Sequence, residues 1–200
     1  PPQGSRNYQT VGRGILARGL RVPTGYQTAF LVHASYTSQE PEFKEVQDIM
    51  RNKWIWVFDR TLWVPEGVYI AHDPEAIGTS KPLNQEDLER RLKGGKEVSG
   101  IRFSQDMAVR FAPKGSYKLG KHTAESLSED GFIVANFGKE GAEKLGELST
   151  RFKHNPQTYG LNIKKDQEDQ TRVVALNSGW GSGRLDVDGD GHGGSDGYGC

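Results

Sequence analysis

Apolar positions along this chain alternate between two periods, and the changes of period mark out its elements. In PEFKEVQDIMRN, residues 41–52, Phe43, Val46, Ile49 and Met50 recur at helical spacing behind Pro41, a good first-turn residue, and predict a helix. A second helix is expected over residues 84–93. There Leu83 and Leu88 flank Asn84 as a hydrophobic staple would, Asn84 can cap the amides of Glu86 and Asp87, Leu88 and Leu92 lie one turn apart, and Gly94-Gly95 stop the run. Ala142, Leu145, Leu148 and Phe152 predict a third helix, and Thr123 opens a short helical turn ending at Gly131.

The strand signals are shorter. Residues 14–22 and 28–36 read as two strands, the second through Ala29, Phe30, Leu31 and Val32, after an extended lead-in over residues 1–13. Residues 53–74 form the apolar heart: Trp54, Trp56 and Phe58 alternate with Ile55, Val57 and Asp59, and strand pieces follow at 62–64 and 68–71. Further strands are expected at 101–103 and 109–111, at GFIVANF (131–137), and at TRVVALNS (171–178). KKDQEDQ, residues 164–170, reads as a solvated loop before the last of these.

Helices and strands are thus interleaved without a regular β-α-β period, an internal repeat or a linker inside residues 14–176, which points to α+β class. The economical division is a single domain over residues 14–200 with a glycine-rich terminus. Three of the four tryptophans sit in residues 53–74. They could stack on bases or sugars, but no basic surround accompanies them, and core packing is the reading adopted.

Composition narrows the function classes. The 26 basic residues balance the 26 acidic ones, so nothing indicates a nucleic-acid partner or an anionic membrane surface. The longest apolar runs are far too short to span a bilayer. A single cysteine, Cys200, excludes an internal disulfide framework and a thiolate metal cluster. No signal peptide is visible, although the chain starts without Met, and the default expectation is a cytoplasmic setting.

Catalytic constellations are missing. His33, His72, His122, His154 and His192 form no HExxH or close pair, and no GxSxG, P-loop or GxGxxG follows a strand. His72-Asp73 after a strand is read as a turn in preference to a dyad, and no enzymatic activity is expected.

The last segment, SGWGSGRLDVDGDGHGGSDGYGC (178–200), holds nine glycines and four aspartates. In DVDGDG, Asp186, Asp188 and Asp190 occupy positions 1, 3 and 5 of a calcium loop with Gly191 at position 6. Position 12 falls on Gly197 where a bidentate Glu belongs, and the preceding VVAL is strand-like. A looser calcium site on these three aspartates is the alternative reading of the tail, and calcium the one cofactor it would bring.

RVVALNSGWGSGRLDV followed by GYGC resembles the closing segment of C-type-lectin-fold proteins of the formylglycine-generating-enzyme type. That fold carries the variable proteins of diversity-generating retroelements, whose C-terminal codons are rewritten by copying with errors at adenines. The resemblance spans residues 172–200 and implies a C-type lectin fold, with short mixed or antiparallel strands, two principal helices (41–52 and 84–93) and a loop-rich C-terminal half. It further implies a strand over 173–176, a turn through Ser178, Gly179 and Trp180, an arginine at Arg184, and a final strand over 198–200.

One compositional check is independent of the motif. Adenine mutagenesis of Asn codons keeps the third-position pyrimidine and so never yields Lys, Glu, Gln, Met or Trp. Those types make up 43 of the first 180 residues, which would place nearly five in the last 20, yet none occurs there. The resemblance therefore implies a ligand-binding region over residues 177–200. Its changeable face would be Ser178, Gly179, Gly181, Ser182, Asp186, Asp188, Gly189, Asp190, His192, Gly193, Ser195, Asp196 and Tyr198. Trp180, Arg184, Leu185 and Val187 would be its scaffold. Such a face suits an unidentified protein or surface ligand, and its aspartates favour a basic one.

Overall fold

The computed structural model describes residues 7–178, residues 183–194 and the backbone of 197–198. The order of elements is α1 (Tyr8–Leu16), α2 (Gly25–Thr37), α3 (Phe43–Asn52), β1 (Trp54–Val64), β2 (Gly67–His72), α4 (Gln85–Leu92), β3 (Lys96–Val98), β4 (Ile101–Phe103), β5 (Val109–Pro113), β6 (Gly120–Lys121), α5 (Ala124–Ser128), α6 (Gly131–Ser149), β7 (Gln157–Tyr159), β8 (Gln170–Asn177), β9 (Asp186–Gly191) and β10 (Gly197–Tyr198). The chain is α+β. Its strands join in one mixed sheet of order β3-β4-β5-β2-β1-β8-β9-β7-β6, with β10 laid parallel to the start of β1. Among the described residues, β7/β9 and β1/β10 are the parallel pairs.

Period-2 alternation gives the sheet two buried faces. On one, Ile55, Val57 and Trp63 of β1 and Val187 of β9 meet Ala29, Val32, Ile49, Phe132, Ile133 and Leu145 from α2, α3 and α6. On the other, Trp56, Phe58, Val173 and Ala175 lie under Tyr8, Val11 and Ile15 of α1, while Leu62, Tyr69 and Phe111 lie under Leu88 and Leu92 of α4. Of the three tryptophans expected in the core, Trp56 and Trp63 are almost wholly buried, and Trp54 is part-buried against the α1 side.

Two expected strands are helices, and a third begins in a helix and runs out into a turn. Residues 28–36 lie within α2, which Thr24 starts with a capping box shared with Gln27. Residues 131–137 are the first half of α6, where Asp130 caps the amides of Phe132 and Ile133 at 3.0 and 3.2 Å. Residues 14–22 begin inside α1, and the extended lead-in likewise gives way to helix at Tyr8, capped by Asn7. Period misled in α2 and at the start of α6 because their apolar residues run consecutively, whereas α1 is one-sided, burying Tyr8, Val11 and Ile15. α6 continues into the predicted third helix through a bend at Gly138 (φ 71°, ψ 167°), a conformation available to glycine. The helices over 43–52 and 85–92 form as expected, but the principal helical layer is α2 against α6, tied by His33 Nε2 to Glu147 Oε2 at 3.0 Å and by Tyr26 Oη donating to Glu140 at 2.8 Å. Among the described residues no helix is long and apolar enough to cross a membrane.

Candidate functional site

The C-terminal segment enters the fold as β8, followed by Ser178, and is next described from Gly183 into β9. β9 is held on both sides: antiparallel to β8 (Leu176 opposite Val187) and parallel to β7 (Thr158 opposite Val187, Tyr159 opposite Asp188). Its alternation sends Val187 and Gly189 into the helix-covered face and Asp186, Asp188 and Asp190 to the opposite one. Leu185 and Val187 are fully buried.

Three positions expected on a changeable face lie inside the molecule. Ser178 is 2% exposed, and its backbone N–H and its hydroxyl both donate to the Met50 carbonyl, at 2.7 and 2.8 Å. Asp186 is 4% exposed and is gripped by Arg184, whose Nε lies 2.6 Å from Oδ1 and whose Nη2 lies 3.3 Å from Oδ2. Gly189 is buried beneath Phe132: a Cβ added there would meet Phe132 Cζ at 2.4 Å. The Gly189 carbonyl also accepts from Thr61 Oγ1 at 2.9 Å and Trp63 Nε1 at 2.8 Å. Glycine and aspartate read as surface residues in the sequence because nothing local betrays that a strand will cover them.

The other expected positions stand as follows. Asp188 and Asp190 are part-buried and His192 is exposed, its carbonyl accepting from Thr79 Oγ1 at 3.1 Å. Gly193 takes φ 70°, and its carbonyl accepts from the Tyr8 amide at 3.0 Å, tying the tail to the start of α1. Gly179, Trp180, Gly181, Ser182, Ser195 and Asp196, and the side chain of Tyr198, lie outside the described residues. Of the final strand expected over 198–200, the described part is Tyr198 in β10, with Gly197 opposite Trp54 and Tyr198 opposite Ile55.

The electrostatics of β9 are those of crowded carboxyls. Burial raises the Asp186 carboxyl against the opposing pull of Arg184. Burial and the neighbouring Asp190 push Asp188 up to about 8. Tyr159, opposite Asp188 across the β7/β9 pair, is raised by burial and then by the nearby Asp186. The three aspartates line one side of a strand and do not ring a loop, and Asp186 is already engaged by Arg184. Among the described residues no group of three or more His, Cys, Asp or Glu side chains could hold a metal ion.

The structure separates His72 from the partner its neighbour in sequence suggested. Asp73 accepts from Tyr8 Oη at 3.0 Å and the Gly78 amide at 2.7 Å, and so closes a turn. His72 Nδ1 instead lies 3.4 Å from Oδ1 of Asp59, which is fully buried and whose Oδ2 faces Arg110 Nη2 at 3.4 Å. Arg110 and Asn136 line a cavity of about 320 Å³ with His72, Tyr26, Phe103, Met107 and Phe137. Sequence reasoning passed over this cluster. Its signal was charge inside two apolar strands, Asp59 beside Arg60 in WIWVFDRTLWV and Arg110 in VRFA.

Compared with known proteins, no family model matches this chain, and no curated protein does. It is similar in structure to a solved protein described under "Accommodation of massive sequence variation in Nanoarchaeota by the C-type lectin fold", with a TM-score of 0.48 and 11% identity, covering 100% of this chain and 95% of that one.

Proposed function

We propose that this chain is a ligand-binding protein of C-type lectin type whose C-terminal segment is the variable region of a diversity-generating retroelement. The observation that carries the reading is the way the segment is clamped. Ser178 is bonded to α3, Leu185 and Val187 are sunk in the core, β9 is paired on both edges, and Gly193 is bonded to α1. Side chains between such fixed points can be replaced without unfolding their support. The absence of Lys, Glu, Gln, Met and Trp from the last 20 residues fits replacement through adenines in Asn codons.

On this reading the changeable positions reduce, among the described residues, to Asp190 and His192, with Gly179, Gly181, Ser182, Ser195, Asp196 and Tyr198 of the expected face retained. Ser178, Asp186 and Gly189 join Arg184, Leu185 and Val187 as scaffold. The target is a protein or other macromolecule, bound without catalysis, without a cofactor and without membrane insertion.

Deep sequencing of the gene from many cells of the source population tests this directly. Substitutions concentrated in codons 179, 181, 182 and 190–198, at adenine-templated positions, with codons 7–178 and the scaffold codon of Trp180 quiet, are the expected result. Variation spread evenly along the gene would overturn it.

A further inference from the structure

A basic cavity lies at the sheet edge formed by β6 and β7. It is about 580 Å³ in volume and is lined by Lys121, Lys153, His154, Asn155 and Arg184. These residues come from three separate segments: Lys121 from β6, the 153–155 stretch from the loop between α6 and β7, and Arg184 from the approach to β9. Their convergence is fixed by the backbone. Lys121 is opposite Gln157 in the sheet, and the His154 amide donates to the Gly183 carbonyl at 2.9 Å.

The charges are unbalanced in a chain whose net charge is zero. No carboxylate lines the cavity. Lys121 and Lys153 are exposed and form no ion pair among the described residues. Arg184 is held as a positioned donor: Asp186 takes its Nε, Tyr159 Oη sits 2.6 Å from its Nη2, and its Nη1 makes no hydrogen bond to a described residue. A guanidinium fixed on one side by a carboxylate, with an unused edge beside two ammonium groups, matches the geometry that oxyanions recruit. Lysine on an edge strand also guards against strand pairing, but that role does not call for Lys153, His154 and Arg184 to converge on Lys121.

The geometry points to an anion-binding site here, taking a tetrahedral oxyanion, a phosphate or sulfate group. It borders the segment proposed as variable but does not depend on that segment being diversified. Lys121 and Lys153 supply the field, Arg184 the directed N–H donors, and Asn155 a neutral hydrogen-bonding group.

The test is an NMR titration of the ¹⁵N-labelled protein with sodium phosphate, and separately with sodium sulfate, at constant ionic strength set by sodium chloride. Saturable shifts centred on the amides of Lys153, His154, Asn155 and Gly183, with both ions, are the expected result. Saturation by phosphate alone narrows the ligand to phosphate and still supports the site. Lys121→Ala and Lys153→Ala, at exposed positions that leave the fold intact, should each weaken binding about threefold or more. Lys96→Ala on β3, at the opposite edge of the sheet, should leave it unchanged. Shifts that fail to saturate, that chloride reproduces, or that Lys96→Ala diminishes as much as Lys153→Ala would overturn the assignment.

Discussion

The backbone N–H of Asp190 donates to Oδ1 of Asp188 at 2.9 Å, and the two carboxyls crowd together on one side of β9. Burial, then the hydrogen bond and charge of Asp190, push the Asp188 carboxyl up to about 8. In the unfolded chain the same group titrates at about 3.9. The folded protein therefore holds a proton that the unfolded chain releases between about pH 4 and about pH 8, so this group's stabilising contribution is full below about pH 4 and is lost as the pH rises through about 8.

A melting series across that window is expected to show Tm falling as pH rises, with Asp188 as a main contributor. Asp188→Asn imitates the protonated form. It should flatten the slope and melt above the parent at about pH 8, where the parent carboxyl is ionising. Parallel curves for the two proteins would show that Asp188 titrates normally.

Gly189 has no room for a side chain. A Cβ would sit 2.4 Å from Phe132 Cζ of α6 and 3.0 Å from Trp63 Cζ2 of β1, two large rings buried in the core between sheet and helix. Gly189→Ala is therefore expected to cost about 1–3 kcal/mol through displaced packing, read as a lower denaturant midpoint. In population sequencing codon 189 should stay glycine. An unaltered midpoint would mean that the rings yield freely and that the position tolerates diversification.

How much of this was legible in the sequence depends on where the deciding interaction lies. Local signals carry through: of the two amides expected, Asn84 caps that of Asp87, at 3.0 Å, and the alternation in residues 54–59 opens a strand that continues through the separate piece expected at 62–64. Helices buried on most sides are harder to see in sequence: a run such as AFLV in α2 carries no amphipathic stripe, and only the caps Thr24 and Asp130 mark where such helices start. The tail was legible in its branched residues, Leu185 and Val187, and illegible in its small and acidic ones. Ser178, Asp186 and Gly189 are interior through partners distant in sequence (Met50 and Phe132) or through the turn that folds Arg184 onto Asp186. The basic cavity was hidden for the same reason, its three cationic side chains being spread over residues 121–184.

Calcium should leave the protein unmoved. Arg184 occupies both oxygens of Asp186, and the spacing that fits a calcium loop is spent on an extended strand whose alternate residues point one way. A site filled to a hundred times its Kd would add about 2.7 kcal/mol to stability. Thermal melting in millimolar calcium is expected to match melting in chelator. A rise in Tm of several degrees, abolished by Asp190→Asn, would restore the metal reading of DVDGDG.

Asp59 offers the sharpest stability test. It is fully buried, faces Arg110 Nη2 and His72 Nδ1 at 3.4 Å each, and Arg110 is itself only 8% exposed. Removing one member of a buried pair strands the other charge without solvent, so Asp59→Ala is expected to cost about 3–5 kcal/mol. The double variant Asp59→Leu with Arg110→Met removes both charges at similar volume and should recover most of that loss. Chemical denaturation of the three proteins decides it. If the single variant loses less than about 1 kcal/mol, a median surface pair's worth, then Arg110 reaches water through the cavity it lines, and the cluster is an open polar site instead of a sealed ion pair.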